Sequence, residues 1–144
     1  MVFGILALDQ IVKAVVRIVM YVGESFPVIE DVFHITYVQN RGAAFSMFSG
    51  QWFVLILIPV VAMLAAVWYW KNHPDEHWTL DLALSLIISG GIGNLIDRVI
   101  FGYVTDMFDF RIWPVFNVAD IAVCVGAGFL ILYTICYYDK KKAQ

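Results

Sequence analysis

Charge is scarce in this sequence. Lys, Arg, Asp and Glu make up 15% of its 144 residues, where a soluble domain carries about 25%. The net charge of −3 offers no attraction to a polyanion, so no nucleic-acid partner is expected. Cysteine is sparser still, with two residues. Cys124 and Cys136 lie 12 residues apart in one apolar stretch, about 18 Å along a straight helix. That is too far to pair, and they read as small core or lipid-facing residues. His34, His73 and His77 do not form a His-Glu-x-x-His pattern, and no Cys-x-x-Cys is present. No metal site is therefore expected. A Gly-x-Ser-x-Gly nucleophile turn is absent, and Gly91-Ile92-Gly93 does not continue into a phosphate-binding Gly-x-Gly-x-x-Gly. No cofactor is expected. No repeat or low-complexity stretch occurs, and the length leaves no room for a second domain.

What is present is apolar. Residues of the Ala, Val, Ile, Leu, Met, Phe, Trp, Tyr and Cys types reach 62%, and aromatics 16%. Four segments approach the ~20 apolar residues that cross a bilayer. They are 1–22, containing Asp9, Lys13 and Arg17; 52–70, uncharged and containing Pro59; 80–100, with Asp81 at one end and Asp97 and Arg98 at the other; and 118–138, charged only at Asp120. The expected fold is an all-α membrane protein, one unit over 1–144, with four transmembrane helices and outer loops at 23–50 and 101–116. The first segment has no basic leader and carries its charges inside the apolar run, so it reads as a retained helix. Lys140, Lys141 and Lys142, with Lys71, place both termini on the cytoplasmic side. In the first outer loop, 32–38 is rich in β-branched and aromatic residues and reads as a strand. Asn40-Arg41-Gly42 reads as a turn, and 43–48 as an amphiphilic surface segment. Gly102 ends the third helix and leaves 103–106 as a short connector.

Charges within spanning segments cost about 2.5 kcal/mol each or more, which makes them functional candidates. Asp9 and Lys13 are spaced i,i+4 with the acid first, the favourable order for a helical ion pair that holds helices together. Asn94, Asp97 and Arg98 present an amide, a carboxylate and a guanidinium on one face of the third helix. Gly90, Gly91 and Gly93 before them permit close helix packing. Asp106, taken alone, is a solvated loop carboxylate. Asn117 and Asp120, taken alone, are an N-cap and its N3 acid. Together they say more. The end of the third helix and the start of the fourth share one membrane face, and the separation from Asp106 to Asp120 lets the two carboxyls converge. Two close carboxyls hold one proton between them. The ionised one takes a proton from water and the other polarises a carbonyl, which is enough to hydrolyse an amide.

Five blocks carry a family resemblance. They are Leu8-Asp9-Gln10-Ile11-Val12-Lys13, Asn40-Arg41-Gly42-Ala43-Ala44-Phe45-Ser46, Gly90-Gly91-Ile92-Gly93-Asn94-Leu95-Ile96-Asp97-Arg98, Val104-Thr105-Asp106-Met107-Phe108 and Val115-Phe116-Asn117-Val118-Ala119-Asp120. In this order the chain resembles bacterial lipoprotein signal peptidase (signal peptidase II), an intramembrane aspartic protease family. The resemblance implies a catalytic pair, Asp106 and Asp120. It implies binding or supporting roles for Asp9, Lys13, Asn40, Arg41, Gly42, Asn94, Asp97, Arg98 and Asn117. The implied substrate is a diacylglyceryl-modified prolipoprotein cut before its lipidated cysteine. Also implied are a small β-cradle and surface helix in the first outer loop, membrane lipids as partners, inhibition by globomycin-type compounds, a monomeric state and a site near the outer face of the bacterial cytoplasmic membrane.

Two other classes compete with a protease. A proton-coupled carrier would string polar residues across the whole membrane, but the second segment has none. A packing subunit without activity would leave Asp106 and Asp120 replaceable.

Overall fold

The computed structural model describes residues 1–42, 51–73 and 76–138. The amphiphilic segment expected at 43–48 and the lysine run 140–142 lie outside the described residues. The elements, in chain order, are α1 (Val2–Val19), β1 (Ser25–Ile29), β2 (Phe33–Asn40), α2 (Trp52–Asn72), α3 (Trp78–Phe101), β3 (Val104–Asp109) and α4 (Val118–Tyr133), which runs on through a π-helical turn at Thr134–Tyr138. Among the described residues, three helices are long and apolar enough to cross a membrane: α2, α3, and α4 with its continuation to Tyr137. The protein is an integral membrane protein. α1 is 18 residues long and carries Asp9, Lys13 and Arg17, so its composition alone does not place it with these three.

Small residues bring α1, α3 and α4 together. A Cβ on Gly90 would strike the Ala119 carbonyl of α4. One on Gly126 would sit 2.8 Å from the Ala83 carbonyl of α3. One on Gly93 would sit 2.6 Å from the Asp9 carboxylate and 3.3 Å from the Ala119 Cβ. Such close backbone approach is the usual means of helix association in lipid. Leu80, Leu84, Ile88 and Tyr133 fill the interior toward the start of α3. α2 buries only Leu55.

The other end of the bundle carries an antiparallel sheet in the order β1-β2-β3. Ser25 faces Thr36 across the first pair, and His34 faces Asp109 across the second. The strand expected at 32–38 is present as β2, shifted toward Asn40. The connector expected at 103–106 is not a connector. Gly102 closes α3 in the left-handed region at φ 74°, a conformation that favours glycine. The chain then enters β3 at Val104, so Asp106 sits buried in a strand. Tyr37 and Met107 of the sheet pack on Val16 and Met20, which fixes the sheet to the end of α1.

Candidate active site

Asp106 and Asp120 come from different elements and line the same cavity, of about 730 Å³. β3 supplies Asp106. α4 supplies Asp120 from its first turn, where Asn117 and Asp120 form a complete capping box. The Asn117 Oδ1 accepts from the Asp120 backbone N–H at 2.9 Å, and the Asn117 backbone N–H donates to Asp120 Oδ2 at 3.2 Å. The cap has a second task. Its Nδ2 donates to Asp106 Oδ1 at 2.6 Å, so one asparagine ties the two carboxyls together. Asn40, at the end of β2, donates to the other Asp106 oxygen at 3.0 Å. Asn94 of α3 donates to Asp120 Oδ1 at 2.8 Å. Burial pushes the Asp106 carboxyl up to about 7, and the Asp120 charge adds to that push against the hydrogen bonds from Asn40 and Asn117.

Behind the carboxyls lies a buried charge cluster. Lys13 Nζ meets Asp9 Oδ2 at 2.9 Å and Asp97 Oδ2 at 3.4 Å. Asp9 Oδ1 accepts from the Ala119 backbone N–H at 2.9 Å, which ties α1 to α4. Asp97 Oδ2 accepts from the Thr105 N–H at 2.9 Å and so fixes the residue before Asp106. The i,i+4 pair read from the sequence thus holds three helices and, through Asp97, the sheet.

Gly42 is buried. Its N–H donates to Asn40 Oδ1 at 2.9 Å, and its carbonyl accepts from Arg98 Nη2 at 3.3 Å. Arg98 lines the cavity, and its Nε is buried without a hydrogen-bond partner among the described residues. Arg41 is exposed and lies outside the cavity lining.

Two polar residues of the cluster were not in the expected set. Gln10 Nε2 donates to Asp9 Oδ2 at 3.0 Å and to the Gly93 carbonyl at 3.1 Å. Arg17 donates to Thr105 Oγ1 at 2.9 Å and lies 3.5 Å from Asp97 Oδ1. A signal for Arg17 was available, because Asp9, Lys13 and Arg17 repeat at i, i+4, i+8 on one helix face.

The family model described as signal peptidase (SPase) II matches residues 1–136. The chain belongs to the signal peptidase II family. A lipoprotein signal peptidase of Halothermothrix orenii is 52% identical over 130 residues, covering 90% of this chain and 88% of that protein. One from Clostridioides difficile is 45% identical over 143 residues, covering 96% and 94%. A solved bacterial membrane enzyme superposes with a TM-score of 0.91 at 30% identity, covering 99% of this chain and 90% of its own. Membership of the signal peptidase II family makes the chain a protease. The rest of the cavity suits an apolar guest: Pro59, Met63, Ile87 and Val123 line it alongside Trp113 and Cys124.

Proposed function

We propose that this chain is an aspartic endopeptidase that removes the signal peptide from diacylglyceryl-modified prolipoproteins, cleaving before the lipidated cysteine. The observation that carries the reading is the joint presentation of Asp106 and Asp120 to one cavity, bridged by Asn117. The names of the relatives supply the substrate class.

In the proposed reaction the carboxyl pair shares one proton. The ionised carboxylate takes a proton from a water as the water oxygen attacks the scissile carbonyl carbon. The protonated carboxyl hydrogen-bonds the carbonyl oxygen as it gains charge. The tetrahedral intermediate then breaks its C–N bond, and the departing nitrogen receives the proton that the first carboxylate took from the water, which restores the one-proton pair. The products are a signal peptide with a free carboxylate and a mature chain with a free α-amino group. Asn40, Asn94 and Asn117 fix the carboxyls, and Arg98 stays a cation that holds the Gly42 carbonyl rather than acting as an acid.

The remaining features follow from this reading. α1 crosses the bilayer as a fourth span, both termini face the cytoplasm, and the sheet lies on the outer face of the bacterial cytoplasmic membrane. The protein works as a monomer with the bilayer lipids around it. Globomycin-type inhibitors occupy the cavity.

Asp106→Asn and Asp120→Asn, each assayed by gel shift of a lipidated precursor, are expected to lose about 10²–10⁴-fold in rate, the span of general acid–base catalysis. Wild-type cleavage by either variant would refute the pair.

A further inference from the structure

Lys13 has no exposed surface and carries the charge at the centre of the buried cluster. Its ammonium does more than pair with acids. It donates to Asn94 Oδ1 at 2.9 Å, and that same oxygen accepts from Asn117 Nδ2 at 3.1 Å. With two donors on its oxygen, Asn94 has one orientation open to it: its amide N–H group points at Asp120 Oδ1, 2.8 Å away. If the amide turned over, it would set a donor against the ammonium and a carbonyl against a carboxylate. Asn117, the other donor on that oxygen, is the residue that bridges Asp120 to Asp106. Lys13 therefore stands one asparagine away from Asp120 and two away from Asp106, through hydrogen bonds alone.

We propose that Lys13 is a positioning residue for the carboxyl pair: acting through Asn94, it fixes the amide that holds Asp120 and supplies the positive charge that keeps one carboxyl of the pair ionised. The inference rests on the assignment of Asp106 and Asp120 as the reacting groups.

The charges facing the pair come from several elements. α1 contributes Lys13, with Asp9 and Arg17 beside it. α3 contributes Arg98, which interacts with both carboxyls, and Asp97. β3 and α4 contribute the two carboxyls themselves. Arg17 is the useful contrast. It belongs to the same cluster, but its contacts run to Asp97 and Thr105, away from Asn94. A cation that holds the sheet and the bundle without reaching Asn94 would behave as Arg17 does.

The test is the pH profile of kcat/KM on a lipidated precursor for three folded variants. They are Lys13→Met; Asp9→Asn combined with Lys13→Met, which removes both charges of the ion pair and so protects folding; and Arg17→Met. Loss of a nearby cation makes carboxyls harder to ionise, so Lys13→Met is expected to shift both limbs of the profile to higher pH by about one unit, with a lower kcat; the double variant, which loses the Asp9 anion as well, is expected to keep the lower kcat with a smaller shift. Arg17→Met is expected to lower the melting temperature and leave the limbs in place. The proposal is overturned if the Lys13→Met profile superposes on the wild type after scaling, or if Arg17→Met moves the limbs as far. The pair assignment fails separately, through residual cleavage by Asp106→Asn or Asp120→Asn.

Discussion

Asp106 sits where a carboxylate is least at ease, 1% exposed in a strand beside a second acid. Burial, with the Asp120 charge adding to it, moves its titration from 3.8 up to about 7. The sign matters for activity. A raised carboxyl stays protonated up to its new pKa, so the one-proton form of the pair persists to near neutrality and is lost above it. kcat/KM is expected to fall roughly tenfold per pH unit once the pH is well above about 7. A profile on lipidated precursor that stays level from about pH 6 to 9 would contradict this. Folding carries the same sign. Between 3.8 and about 7 the native Asp106 binds more proton than the unfolded chain does, so its contribution to stability falls as pH rises through that window.

The helices show how much of an element a sequence displays. Apolar runs of bilayer length marked α2, α3 and α4, and Asn117 with Asp120 marked the start of α4 by their spacing. β-branched and aromatic density marked β2. β1 and β3 gave no such sign. β1 is exposed along its whole length and contains Pro27, tolerated because the strand is an edge. β3 inverts the usual pattern, since Thr105, Asp106 and Asp109 are all buried. Their burial depends on Arg17, Asn40 and Thr36, far away in the chain, and on Asp97 and Asn117 in the flanking elements. Spacing revealed the site's helical parts because they are local. The convergence of β3 on them is not local and left no periodicity to read.

At this scale the glycines divide into those where a side chain would meet backbone, those where it would meet another side chain, and those where it would meet nothing. Gly90→Ala places a methyl against the Ala119 carbonyl and is expected to cost about 1–3 kcal/mol. Gly128→Ala, in the interior of α4, meets nothing within 4 Å and is expected to be neutral or stabilising by up to ~1 kcal/mol. Thermal melts in detergent check the order, and a Gly128→Ala variant less stable than Gly90→Ala would refute it.

At the scale of the molecule the question is α1. Its three charges keep it from matching the composition of the other membrane helices, yet they do not face outward. Lys13 and Asp9 are buried, and Arg17 turns toward Asp97 and Thr105. Asp9 and Asp97 against Lys13 and Arg17 sum to zero, so the cluster buries no net charge. The residues α1 exposes are all apolar, with Phe3, Ile11 and Ile18 at 86%, 61% and 82%. Lipid would therefore meet an uncharged surface, and the usual objection to charged residues in a span applies to their exposure rather than their presence. A spanning α1 puts its start on the same side as the α2–α3 connection and opposite the sheet. With Cys124 and Cys136 replaced by alanine, a membrane-impermeant maleimide on intact cells is expected to label Ser25→Cys on β1. It should reach Phe3→Cys and His73→Cys only after permeabilisation. If Phe3→Cys labels together with Ser25→Cys, α1 lies on the membrane instead of crossing it, and the chain has three spans.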